Sequence, residues 1–368
     1  MHEHLPHRAV KMDADNNKFP QMQNISTPNP ANNDENSQAA KAREAMFGVI
    51  AALSFLLNFL FCFVMIRKPA MLKKPHNILL FSLAITDLLT GIFLPLTPGY
   101  VVSIASFPVP RALGGEIFCR VFTSRYALFT MGKVSILKVT CLAIERWYCI
   151  FRPMVYKRYF TRKRLFLYIL AIWVSTCLLQ INKFFEWKLS GSKCSKVKAP
   201  YGKMGTQAMI IIYSLIGFYI PCLIAWASFA HISLLFKTSP MARCYGERQR
   251  AQQKALLRMC ALTSITLTLC WLPAQTIYIL SPFGITKIGS PLHRTGGILA
   301  MLNSCLNPLI YWLTNREYRD GLFELFKFVK IKSFHTRSYS LEHQMSALGS
   351  STSSRLSQLS RISMDTGK

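Results

Sequence analysis

A carboxylate in the middle of an apolar run is the first feature of this chain that asks for chemistry. Asp87 stands in Leu83-Ala84-Ile85-Thr86-Asp87-Leu88-Leu89. Inside a membrane span such a group costs a few kcal/mol, so it needs a partner and a job. Asn58 sits in similar surroundings, and Asn303 and Asn307, four apart and so on one helix face, have Ser304 and Pro308 beside them. For Asn58 a structural hydrogen-bond network is an equally good account. Asp87 differs, because a carboxylate facing only amides still seeks a cation or a proton. Such a set could form the ion path of a transporter or channel, or a buried switch. Arg125 and Lys133 pose the converse question, and Lys133 must find an anion, a carbonyl or water. No His/Asp/Glu or Cys/His set has the spacing of a metal centre or an activated nucleophile, which argues against an enzyme.

These residues need helices to hold them in lipid. Of 368 residues, 51% are hydrophobic and 16% charged, against roughly 25% charged in a soluble domain. Lys and Arg number 44 and Asp and Glu 16, a net charge of +28. A nucleic-acid binder could carry that excess, but not with long runs of Leu, Ile and Phe. The balance argues against a disordered chain, a secreted disulfide scaffold and an ordinary cytosolic enzyme. The 11 Cys lie mostly inside apolar stretches, where a thiol is a small buried hydrophobe. A bilayer core about 30 Å thick takes about 20 apolar residues per helix. Met46–Ile66, Ile78–Pro98, Leu165–Ile181, Ala208–Phe236 and Ala255–Leu280 meet that requirement. Ile117–Ile150 carries Arg120, Arg125, Lys133, Lys138 and Glu145, and Pro291–Leu313 carries His293 and Arg294. Both are long enough and hold their polar residues at helical spacing, as a helix inside a bundle does. The expectation is an all-α membrane protein, a seven-transmembrane helix bundle.

The loops orient it. Residues 1–45 form a polar tail with 5 Lys+Arg against 6 Asp+Glu and no apolar core of a cleavable signal peptide. The loops at 67–77, 150–164 and 237–254 carry 15 Lys+Arg, and those at 99–116, 182–207 and 282–292 carry 8. Positive charge stays inside, which places the N-terminus outside and the C-terminus in the cytoplasm at the plasma membrane. The sequon Asn24-Ile25-Ser26 then lies where Asn24 can be glycosylated. After the span region, 46–315, residues 316–330 put Leu322, Phe323, Leu325, Phe326 and Val329 on one face with basic residues around it, an amphipathic interfacial helix. Residues 331–368 read as a disordered, Ser-rich cytoplasmic tail.

At the polar residues the chain resembles the rhodopsin-like (class A) G-protein-coupled receptors, with peptide-type receptors the nearest in kind. Asn58, Leu83-Ala84-Ile85-Thr86-Asp87, Glu145-Arg146-Trp147, Trp173, Pro221, Cys270-Trp271-Leu272-Pro273 and Asn307-Pro308-Leu309-Ile310-Tyr311 look like that family's signatures, in order, each in its own expected span. Any one is a weak pattern; seven in order form a strong one. The resemblance implies a sodium ion held by Asp87, Ser135, Asn303, Ser304 and Asn307, all oxygen donors suited to a hard cation, and no other cofactor. It implies a hinge at Trp271 and Pro273, where proline removes a backbone hydrogen bond. It implies Arg146 held by Glu145 until a partner inserts, with Trp147, Asn307, Pro308 and Tyr311 completing the switch, and a disulfide between Cys119 and Cys194. Its partners would be an extracellular ligand, a heterotrimeric G protein, arrestin and a receptor kinase at the tail, and membrane lipids, but no nucleic acid.

The chain also departs from the pattern. Cys119 and Arg146 are 27 apart, two more than usual, so the outer half of the third span is expected to bulge or the disulfide to shift. Phe229 and Leu267 replace the usual Tyr and Phe, no acidic residue lies near Gln253 to clasp Arg146, and no Cys follows the interfacial helix. The ligand is narrowed by exclusion. No Asp or Glu lies within Arg120–Ile144 to hold an amine, and no Lys within Pro291–Leu313 to hold retinal. What remains is positive: Arg125, Lys133 and the loop lysines Lys183, Lys188, Lys193, Lys196, Lys198 and Lys203, which are either a solvated face or a steering field. The expected ligand is a peptide carrying an anionic group, contacting Arg125, Leu128, Lys133, Trp271 and Gln275.

Overall fold

The computed structural model describes residues 30–197, 201–238 and 247–325. Asn24, Lys198 and the tail 331–368 lie outside the described residues. The chain divides into two compact units, Met1–Ala42 and Arg43–Lys368. Helix α1, Pro30–Arg67, starts well before the expected span at Met46 and takes in residues read as a polar tail. Ala, Gln, Glu, Lys and Arg in that stretch favour helix, and Pro30 suits a first turn.

In the second unit α1 is followed by α2 (Pro75–Leu96), α3 (Ala112–Phe118), α4 (Tyr126–Phe151), α5 (Pro153–Tyr159), α6 (Arg162–Leu179) and α7 (Ile181–Phe185). A hairpin of β1 (Trp187–Ser190) and β2 (Lys193–Lys196) comes next, then α8 (Gly202–Ser214), α9 (Ile220–Thr238), α10 (Glu247–Leu280) and α11 (Pro291–Thr314). Residues 316–325 are helical again; the rest of the expected interfacial helix lies outside the described residues. Among the described residues, six helices are long and apolar enough to cross a bilayer. The remaining one, α6, opens on Arg162-Lys163-Arg164, yet Phe166, Leu170, Val174 and Leu178 form an exposed apolar stripe at helical spacing, as a lipid-facing helix does. Helix α4 is the central post, packed against α2, α6, α9 and α10.

The structure breaks the expected span Ile117–Ile150 in its outer half, where the long Cys119–Arg146 separation predicts a bulge or a shifted disulfide. Between α3 and α4 the chain makes a π-turn, Cys119–Thr123, and Arg125 takes a left-handed conformation with φ 63°. A π-turn fits one more residue into a turn, and a left-handed Arg costs about 1–2 kcal/mol. Together they absorb the long Cys119–Arg146 separation. Ser124 bridges the break: its hydroxyl donates to the Arg120 carbonyl and accepts the Tyr126 N–H at 3.1 Å.

The lysine-rich loop 182–207 also holds structure that periodicity did not predict. β1 and β2 pair antiparallel, with Leu189 opposite Cys194, around a turn in which Gly191 adopts φ 61°. Cys194 is disulfide-bonded to Cys119, and Glu116 accepts the Leu189 N–H at 2.7 Å, so the hairpin is fastened to the broken helix on two sides. At the opposite end, Lys68 pairs with Glu324 at 2.8 Å and Lys74 with Glu317, tying residues 316–325 to the turn after α1.

Candidate functional site

Three polar clusters run along α4. Nearest the disulfide, Lys133 is fully buried and its ammonium donates to Gln275 Oε1 at 2.8 Å. The faces of Tyr213, Phe218 and Trp271 surround it at 4.6, 5.8 and 5.9 Å from their centroids. Among the described residues no carboxylate pairs with it. The buried indole N–H of Trp271, too, has no acceptor among the described residues. Trp271 lies so close to α4 that a Cβ on Gly132 would stand 2.2 Å from its ring, so only glycine fits there. Of the expected ligand contacts, Lys133, Trp271 and Gln275 come together, and Leu128 packs in the same apolar cluster as Trp271. Arg125 is turned elsewhere, over the Tyr100 ring at 5.2 Å. Tyr213 and Phe218 were missed from sequence, because an aromatic in a span reads as ordinary apolar packing.

Mid-helix, Asp87 accepts from Ser135 Oγ at 3.2 Å and from Asn307 Nδ2 at 2.7 Å. Asn58 is tied to this region through backbone, donating to the Ser54 and Ser304 carbonyls, both at 2.8 Å. Asn303 and Asn307 each keep a buried Oδ1 without a partner among the described residues, spare oxygen donors of the kind a hard cation takes. The Ser304 hydroxyl donates to the Met301 carbonyl at 2.7 Å.

At the far end, the Glu145 carboxylate grips Arg146 with both oxygens. The Tyr156 hydroxyl of α5 donates to Glu145 at 2.7 Å, and His76 Nδ1 lies 3.3 Å from the guanidinium. Burial, and then the Glu145 charge, pushes the Tyr156 hydroxyl pKa up, so it stays a donor. Trp147 turns away and donates to His231 Nδ1 at 3.0 Å. Pro273 and Pro308 lie inside α10 and α11, and Tyr311 is buried. Tyr156 and His76, 11 and 70 residues from their partners, carried no sequence signal.

Residues 57–311 match the 7 transmembrane receptor (rhodopsin family) pattern. The chain belongs to that family. It is therefore a G-protein-coupled receptor, a multi-pass membrane protein of the cell surface and a signalling protein rather than an enzyme, and nothing supports the transporter alternative. It is similar to the allatostatin-A receptor of Bombyx mori, 25% identical over 74% of this chain and 76% of the relative. It is also similar to neuropeptide FF receptor 2 of Mus musculus, 27% identical over 83% and 77%, and to somatostatin receptor type 4 of Rattus norvegicus, 24% identical over 75% and 70%.

Proposed function

We propose that this receptor binds an extracellular peptide carrying an anionic group, a carboxylate or sulfate, whose charge docks on Lys133. The observation that carries the reading is a fully buried ammonium with one amide acceptor, aromatic walls and no protein anion among the described residues. A buried cation without a counter-charge is costly, and a ligand anion removes that cost. The Trp271 N–H beside it, without an acceptor among the described residues, adds a second donor. Three relatives whose names carry peptides support the peptide half of the reading.

The disulfide end faces outside, where Cys119–Cys194 is oxidised, and the Arg146 end faces the cytoplasm, as the excess of basic loop residues favours. There a G protein engages Arg146 once Glu145 and Tyr156 release it. Arg152, Lys157, Arg158, Arg162, Lys163 and Arg164 suit anionic lipid. Ser357, Ser360 and Ser363, near Arg355 and Arg361, suit a receptor kinase and then arrestin.

Guanine-nucleotide exchange on mixed G proteins tests this, using membranes that hold the full chain and a tissue extract given intact or protease-digested. Exchange that needs Arg146, vanishes on digestion and loses potency in Lys133→Ala is expected. Exchange that survives digestion replaces the peptide with a small anion or lipid. Unchanged potency in Lys133→Ala removes the anion from that residue.

A further inference from the structure

The hairpin at the disulfide end has two edges, and the two are treated differently. In an antiparallel pair, residues alternate between those that hydrogen-bond to the partner strand and those whose N–H and C=O groups point away from it. The Val197 N–H donates to the Glu186 carbonyl at 2.8 Å, just beyond the pair Trp187 and Lys196. The next pairs are Lys188 with Ser195, Leu189 with Cys194 and Ser190 with Lys193. Alternation from Val197 makes Lys188–Ser195 and Ser190–Lys193 the bonded pairs, so the backbone groups of Trp187, Leu189, Cys194 and Lys196 point outward. Glu116 fixes this phase independently, because it accepts the outward Leu189 N–H at 2.7 Å on the β1 side.

The β2 side has no such answer. Among the described residues, no hydrogen bond reaches the outward backbone groups of Cys194 and Lys196. A row of unpaired strand groups is a template for another strand. The edge is also held in place: Cys194 is bonded to Cys119, and Leu189 packs so closely on Gly115 that a Cβ there would stand 3.0 Å from its side chain. The charge on the edge says what kind of strand fits. Lys188, Lys193 and Lys196 are exposed, and the ion pair of this loop among the described residues is Lys183 with Glu186. Lys193 lies on one face of β2 and Lys196 on the other, so an acidic side chain on either face of an added strand meets a lysine beside it.

We infer that the outer edge of β2 receives the ligand as a third strand: an extended segment of the peptide hydrogen-bonds to the backbone of Cys194 and Lys196 and sets an acidic side chain beside Lys193 or Lys196. In this mode main-chain bonds supply affinity and the alternating side chains supply specificity. The inference rests on the peptide reading above and adds the conformation and charge of the segment that lies outside the Lys133 cluster.

The test is residue-resolved amide hydrogen exchange on the full receptor, without and with a synthetic pool of peptides of about eight residues. The pool carries Glu at every second position and a free C-terminal carboxylate, and a matched pool carries Lys instead of Glu. Without peptide, the Cys194 and Lys196 amides should exchange freely while those of Ser195 and Val197 exchange slowly. Slow exchange at Cys194 and Lys196 would mean that the chain covers its own edge, and overturns the inference. With the Glu pool, exchange at Cys194 and Lys196 should slow about tenfold. Backbone N-methylation of the pool should abolish the slowing, the Lys pool should not produce it, and Lys193→Glu with Lys196→Glu should reverse the preference between the pools. A Glu pool that drives Arg146-dependent nucleotide exchange without slowing these two amides overturns the inference and leaves the peptide reading standing. A pool that does neither overturns it too, as does equal slowing by both pools. Slowing that persists in Lys133→Ala supports the edge while removing the anion from Lys133.

Discussion

The two ends of α4 treat their charges in opposite ways. At the Arg146 end every charge is answered from within: Glu145 holds Arg146, Tyr156 holds Glu145, and His76 closes the other side. At the disulfide end Lys133 has an amide and three aromatic faces but no anion among the described residues. The backbone follows the same division. From Tyr126 to Phe151 the helix is regular, whereas before Tyr126 it passes through a π-turn and a left-handed Arg125. Where the chain keeps the family's residues it is a closed, self-satisfied switch, and where it departs from them it is a site lacking a partner. On the reading proposed above, the residues that depart from the pattern are where this receptor's own ligand is read.

Breaking the closed end should cost most. Glu145→Ala strands Arg146 in a buried position, and removing one partner of a buried pair costs about 3–5 kcal/mol. Thermal unfolding should fall accordingly, with basal nucleotide exchange raised in whatever receptor remains folded. Exchange no higher than the parent's would mean that Glu145 does not restrain Arg146. Next comes Gly132→Ala, whose Cβ would meet the Trp271 ring at 2.2 Å. Overpacking of this kind costs about 1–3 kcal/mol, and the displaced indole should weaken ligand potency as well. An unchanged melting temperature would show that Trp271 swings freely, contrary to a rigid pocket wall. Tyr156→Phe removes one neutral donor from Glu145, worth about 1 kcal/mol. It should raise basal exchange in the same direction as Glu145→Ala but less, and a fall would detach α5 from the switch.

Much of the switch was legible in the sequence and much of the pocket was not, for a physical reason. Asp87, Asn307 and Arg146 are polar residues in apolar spans, so their cost alone marks them. Tyr213, Phe218, Tyr156 and His76 act only through neighbours distant in the chain, and an aromatic in a span pays nothing that would flag it. The spans were legible from hydropathy and a bulge in the third from the 27-residue Cys119–Arg146 separation, but the form of that bulge was not, because one extra residue in a turn barely disturbs a helical period. The hairpin was the real omission. Trp187 and Leu189 alternate with polar residues, and Gly191 supplies the turn, so its signal was there beneath the lysines.

A weaker effect concerns how the hairpin is held. The Leu189 N–H, and then Arg120, hold the Glu116 carboxyl below its ordinary pKa of 4.5. A pKa lowered in the folded state stabilises above the unfolded value, and that contribution is lost as pH falls through the folded value. Proteolytic nicking at the Gly191 turn should therefore rise in the acid range below pH 4.5 in the parent. In Glu116→Gln it should be raised already at neutral pH and change little with acid. Nicking that ignores both changes would leave the disulfide as the sole fastening.

The smallest expected change is also the sharpest test of the contrast between the two ends. Lys133 and Arg146 are both buried cations on α4, so a view based on burial alone predicts that neutralising either one damages the fold. Pairing predicts otherwise. An ammonium with one amide acceptor repays little of its desolvation, and replacing such a charge by an apolar chain of similar length is often neutral or stabilising. Lys133→Met keeps the stem that packs against Gly217, where the Lys133 Cδ and Cε stand 3.2 and 3.3 Å from a Cβ position. Its ligand-free melting temperature should stay level or rise slightly, within about 1 kcal/mol, while potency for an anionic ligand falls. A loss of stability as large as that of Glu145→Ala would mean that Lys133 is answered within the fold, and the open end of the helix would then be as closed as the other.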